Sequence, residues 1–71
     1  MRVVCVGYRD WALKIYDHLA SHTDHTFLII RSKAQYDSKA IRDFRPDFAL
    51  FYGWSWMVEK DLLDQFPCIM L

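Results

Sequence analysis

The residues with the most chemical character in this sequence are aromatic. Phe51-Tyr52-Gly53-Trp54-Ser55-Trp56 gathers two tryptophans and a tyrosine around a single glycine. Such rings offer flat apolar faces and a polar edge, so the cluster can stack on, or line, a flat heteroaromatic ligand. The same composition also suits rings that only cap a core. Gly53 has a similar alternative, serving a turn because glycine tolerates positive φ.

Other constellations carry less. His18 and His22 lie four residues apart with His25 nearby, a spacing that can hold a metal on a helix. No carboxylate completes a helical ligand pair of known type, and Lys14 and Ser21 share the face, so a solvated face is expected. Cys5 and Cys68 sit inside apolar runs, where buried reduced thiols are expected; a disulfide or metal pair is the alternative. No serine stands in a nucleophile-elbow context. Gly7-Tyr8-Arg9 has one glycine where a dinucleotide fingerprint needs three, and the second apolar run ends in Arg31 instead of an acidic ribose partner. The third apolar run ends in Tyr52-Gly53 with no carboxylate, against a receiver-type phosphoacceptor. Arg42-Asp43 and Glu59-Lys60-Asp61 read as solvated helix faces, and Arg2 and Arg45 as lone surface cations.

Composition narrows the class. The 71 residues fit one domain at most, and nine Lys+Arg against nine Asp+Glu cancel. That balance lacks the basic surplus of a nucleic-acid binder. With 54% hydrophobic residues the chain is not a disordered tail. Val3-Val4-Cys5-Val6 is too short for a secretory core, and Gly53 and Ser55 interrupt the longest apolar-leaning stretch, Phe48 to Val58. The reading is therefore cytoplasmic, with no membrane partner.

The elements that must position these residues alternate in type. Val3 to Gly7 reads as a buried strand. Asp10 offers an N-cap to a helix over about Trp11 to Ala20, whose apolar stripe is Trp11, Ala12, Ile15, Tyr16, Leu19 and Ala20. Thr26 to Ile30 is a second strand, followed by a polar loop from Arg31 to Tyr36. Asp37 or Ser38 caps a short helix that buries Ile41 and Phe44 and stops at Pro46. Phe48 to Tyr52 is a third strand. Glu59 and Asp61 open a third helix with Leu62, Leu63 and Phe66 inward, and Pro67 ends it. Cys68 to Leu71 begins a fourth strand. This β-α-β-α-β-α-β order predicts an α/β fold, a Rossmann-like three-layer α/β/α arrangement on a parallel sheet. Three short helices cover four strands only partly, so the expectation is an N-terminal fragment over residues 1–71, truncated after the fourth strand. Self-association through exposed sheet is expected with it. In such folds ligands bind beyond the carboxyl ends of the strands, where Gly7-Tyr8-Arg9, Arg31-Ser32 and Gly53-Trp54-Ser55-Trp56 lie.

Val3-Val4-Cys5-Val6-Gly7-Tyr8, Arg45-Pro46-Asp47, Phe51-Tyr52-Gly53-Trp54-Ser55-Trp56-Met57-Val58 and Phe66-Pro67-Cys68-Ile69-Met70-Leu71 come in an order and spacing that resembles the N-terminal part of the formyltransferase family using 10-formyltetrahydrofolate. The aromatic segment looks closest to the methionyl-tRNA formyltransferase-like and amino-sugar members. The resemblance implies formyl transfer to a primary amine of a small molecule or an aminoacyl-tRNA. It implies that Gly53, Trp54, Ser55, Trp56, Met57 and Val58 form part of the folate pocket. It nominates Gly7, Tyr8 and Arg9 for acceptor binding, Arg9 as partner of an acceptor phosphate. The family's catalytic Asn falls on Met70, and its catalytic His and Asp have no counterpart here, so the 71 residues alone should not catalyse. The rival class is a non-catalytic Rossmann-like binding or interaction module, which Met70 favours.

Overall fold

A computed structural model describes residues 1–71. The elements run β1 (Arg2–Val6), α1 (Asp10–His22), β2 (Thr26–Ile30), a 3-10 turn (Lys33–Gln35), α2 (Ser38–Phe44), β3 (Phe48–Phe51), α3 (Lys60–Gln65) and β4 (Cys68–Met70). All strand pairs are parallel, in the order β2-β1-β3-β4. Because side chains alternate along a strand, β1 feeds two cores at once. Val4 and Val6 join Ile30, Ile41, Ala49, Phe51 and Leu62 under α2 and α3, whereas Val3 and Cys5 join Ala12, Tyr16 and Leu50 under α1. The chain turns one way from β1 to β2 and the other way to β3. The switch point therefore lies between the carboxyl ends of β1 and β3, the place where open α/β sheets bind ligands.

Several expectations hold and several need correction. Asp37 does cap α2, accepting a hydrogen bond from the Lys39 amide at 3.0 Å. Asp10, by contrast, is the first residue of α1; Arg9 occupies the N-cap and makes no side-chain cap bond. Asp10 can still favour the positive end of the helix dipole. Trp11, Ile15 and Ala20 do not belong to the buried stripe: Trp11 is 46% and Ile15 39% exposed. The stripe is narrower, built on Ala12 and Tyr16 with Leu13 and Leu19 packed at its sides. The polar loop after β2 contains the short 3-10 turn, and β3 ends at Phe51, one residue early.

The charges are more engaged than a solvated face implies. Arg42 pairs with Asp61 at 2.7 Å and joins α2 to α3; Arg31 pairs with Asp17 at 2.6 Å and joins the end of β2 to α1. The Arg31 hydrogen bond holds the Asp17 carboxyl below the usual carboxylate range. Both pairs are exposed to solvent, which screens them, so neither is a major source of stability. Arg2 is not a lone cation either: its guanidinium lies 4.1 Å from the centroid of the Phe44 ring and donates to the Phe44 carbonyl. Cys5 and Cys68 are free thiols on opposite faces of the sheet, Cys68 only half-buried, so the disulfide alternative has no geometry to support it. On the α1 side β4 is bare, with Ile69 50% exposed.

Burial sets an alkaline limit on this fold. It pushes the Cys5 thiol up to about 12 and raises the Tyr16 and Tyr36 hydroxyls as well. A group whose folded pKa is raised stabilises fully below its unfolded pKa and loses that contribution as pH climbs toward the folded value. The thermal midpoint, followed by far-UV circular dichroism, should therefore fall steadily once pH exceeds the ordinary thiol value of 9.0. A midpoint unchanged between roughly pH 8 and 11 would contradict the burial of these groups.

Candidate functional site

The site grows from one left-handed residue. Phe51, the last residue of β3, faces α2 and α3, so alternation sends the Tyr52 ring to the α1 side. There Tyr52 stacks between Trp11 (centroids 6.2 Å, 16°) and Tyr16 (5.4 Å, 26°). The tyrosine that sequence reading grouped with the two indoles thus belongs to the opposite face. Gly53 follows at φ 67°, a conformation that glycine adopts without a Cβ penalty. Trp54 then packs against the α2–α3 core.

Trp54 and Trp56 meet edge to face with centroids 4.9 Å apart. Tyr8, from the loop after β1, lies 6.2 Å from Trp54 and 5.0 Å from Trp56, and its hydroxyl hydrogen-bonds the Ser55 hydroxyl at 2.8 Å. Tyr8 and Ser55 thereby clamp the two loops that flank the switch point. Tyr36, missed in the sequence, supports Trp54 from the other side at 5.5 Å and donates to the Glu59 carboxylate at 2.9 Å. Burial, then the Glu59 hydrogen bond, raises the Tyr36 hydroxyl above its ordinary value. Its signal was weak because a lone tyrosine in a polar loop has no periodicity to betray its direction. Two cations decorate the rings: Arg9 sits 5.1 Å from the Tyr8 centroid and Lys33 5.4 Å from that of Trp56.

Beside the indoles opens a cavity of about 290 Å³. Trp54, Trp56, Met57 and Val58 line it, as do Phe51, Leu63 and Met70, and every lining residue is hydrophobic. Of the sequence-nominated donor residues, Gly53 and Ser55 stay outside the lining and act on the loop's shape. Of the acceptor nominees, Tyr8 touches the lip and Arg9 is exposed with its aliphatic stem against Gly53. Gly7 is buried, and a Cβ there would meet the Tyr52 carbonyl at 2.6 Å. The indole Nε1 of Trp54 is buried without a hydrogen-bond partner. Leaving such a donor unmet costs about 1–3 kcal/mol, which rearrangement around a polar ligand can recover. A volume near the lower end for small-molecule sites and apolar walls fit a flat ring.

No acid–base machinery lines the cavity. His18 and His22 stack on α1 with centroids 4.0 Å apart, His22 Nδ1 lying 2.9 Å from the His18 carbonyl, and His25 lies by the N-terminal amine. No three His, Cys, Asp or Glu side chains converge as a metal site. No helix is long and apolar enough to cross a membrane.

Parallel strands in the order 2-1-3-4, helices on both faces and a cavity beyond the carboxyl ends of β3 and β4 define a Rossmann-like α/β unit. The methionyl-tRNA formyltransferase from Clostridium thermocellum has the same fold, with TM-score 0.85 over 99% of this chain and 21% sequence identity. The chain spans about a third of that enzyme's length, 32%. No protein-family model and no curated protein matches the sequence.

Proposed function

We propose that this chain supplies part of the donor pocket of a 10-formyltetrahydrofolate-dependent N-formyltransferase. The observation that carries the reading is the all-apolar cavity at the ends of β3 and β4, walled by Trp54, Trp56, Met57 and Val58. The folate, when bound, supplies the formyl group that passes to a primary amine. Trp54 and Trp56 offer ring faces for the pterin, and Met57 and Val58 close the wall. Tyr8 and Ser55 hold the lip in place. Tyr8 and Arg9 face the acceptor side, where the Arg9 guanidinium suits a phosphate carried by an amino sugar or an aminoacyl-tRNA. Two free thiols fit work in a reducing cytosol.

Met70 limits what these residues do to the reacting carbon. Attack by an amine builds an oxyanion, for which one fixed donor contributes about 3–4 kcal/mol. A thioether has no hydrogen to donate, so Met70 can only shape the cavity. The same residue favours a second reading, a binding module that retains the pocket without catalysis.

Titration of the folded chain with a 10-formyltetrahydrofolate analogue, followed by tryptophan fluorescence, tests the pocket. Saturable quenching is expected; Trp54→Ala should weaken binding about tenfold or more, on the scale of one lost ring stack. Trp11→Phe, on the other face, should leave the affinity unchanged. A folded chain that shows no response to saturating analogue refutes the assignment.

A further inference from the structure

We propose that Tyr16, buried in α1 and remote from the cavity lining, is the positioning residue for the aromatic lip. Its hydroxyl occupies the junction where β1 and β3 end. It donates to the Val6 carbonyl at 2.7 Å, lies 3.2 Å from the Leu50 carbonyl and accepts from the Tyr52 amide at 3.0 Å. The Tyr52 amide also reaches the Val6 carbonyl at 3.1 Å, so one phenol closes a polar knot between the two central strands. The ring adds a second restraint by stacking on Tyr52, one residue before the left-handed Gly53. Tyr16 itself is fully buried, and its Cε2 atom fills the space a side chain at Gly7 would need. The backbone leaves β3 for Trp54 through Tyr52 and Gly53, whose own amide bonds the Leu71 carbonyl at 3.0 Å. Holding the Tyr52 amide fixes the first of these two residues, where the chain crosses from the α1 face to the cavity face. A leucine at this position would satisfy the helix's apolar stripe equally well and leave these backbone groups without the phenol. The effect on ligand affinity rests on the donor-pocket reading above; the effect on lip geometry does not.

Tyr16→Phe keeps the ring and removes only the hydroxyl. Native-state hydrogen exchange should show the Tyr52 amide exchanging about tenfold faster or more, as expected for one lost hydrogen bond to a buried group. The near-UV dichroism of the indoles should change, and the affinity for the folate analogue should fall by about tenfold. Leu19→Ala, on the same helix and packed on the same cluster, supplies a destabilised control in which exchange at Tyr52 rises no more than at other core amides. Unchanged Tyr52 exchange and unchanged indole spectra in Tyr16→Phe overturn the proposal, as does an equal response in the control. Absence of analogue binding by the wild-type chain removes the donor-pocket reading alone, since exchange and dichroism still decide the role of Tyr16. Should Tyr16→Phe not fold, the wild-type chain answers instead: a Tyr16 hydroxyl proton slow to exchange, with a nuclear Overhauser contact to the Tyr52 amide, is required.

Discussion

Replacing Gly7 by valine should abolish cooperative folding. A Cβ at this position would come within 2.6 Å of the Tyr52 carbonyl oxygen and 3.3 Å of both the Ala12 Cβ and Tyr16 Cε2 atoms. The first of these is backbone of the neighbouring chain segment, and it cannot swing aside as a flexible side chain can. Relief would need the end of β1 to part from Tyr52, whose amide bonds the Val6 carbonyl, while the Gly7 amide is itself held by the Ile30 carbonyl at 3.0 Å. Overpacking a tight core costs about 1–3 kcal/mol where side chains can shift, and more where backbone must move. A chain this short has a total stability of roughly 4–10 kcal/mol. The expected result in urea, followed by far-UV circular dichroism, is a broad transition or none. A Gly7→Val chain that unfolds at the wild-type midpoint would show that the contact between β1 and Tyr52 is misplaced.

Gly53→Val should cost less stability and more function. The residue sits at φ 67°, where an ordinary side chain pays about 1–2 kcal/mol and a β-branched one pays more. Its new Cβ would meet Arg9 Cγ at 2.9 Å and Trp11 Cζ2 at 3.1 Å. Both belong to exposed side chains that can yield, so the steric part is small and the backbone part dominates. A loss of about 2–3 kcal/mol is expected. The larger consequence follows from geometry: if the dihedral relaxes to a negative φ, Trp54 no longer returns to the cavity face. Analogue binding and the near-UV signature should then disappear together in a chain that remains largely folded. Gly53→Asn, which tolerates the left-handed region, should recover a good part of both. Retained analogue affinity in Gly53→Val would disconnect this turn from the lip.

Much of the architecture is legible in local pattern. Val3 to Val6 and Thr26 to Ile30 are apolar runs bounded by turn residues, and both are strands. Pro46 and Pro67 end their helices, and Asp37 caps one, because a missing amide and a short acceptor act on neighbours alone. The aromatic cluster around Gly53 also announces itself, and four of the nominated pocket residues line the cavity. The α1 stripe is less legible. Helical periodicity admits Trp11 and Ile15, but the underlying strands are few and the outermost, β4, is left uncovered on that side.

Local sequence determined the element order, the parallel α/β class and the presence of an aromatic strand end, because each depends on residues within a few positions of one another. Tertiary structure alone decided that Tyr52 and Trp54 face opposite sides of the sheet. It also decided that Tyr8 and Tyr36 meet the indoles, that Leu63 shares their cavity, and that a phenol on α1 fastens the junction. Those facts depend on contacts between residues tens of positions apart, and no periodicity along the chain records which strand ends become neighbours.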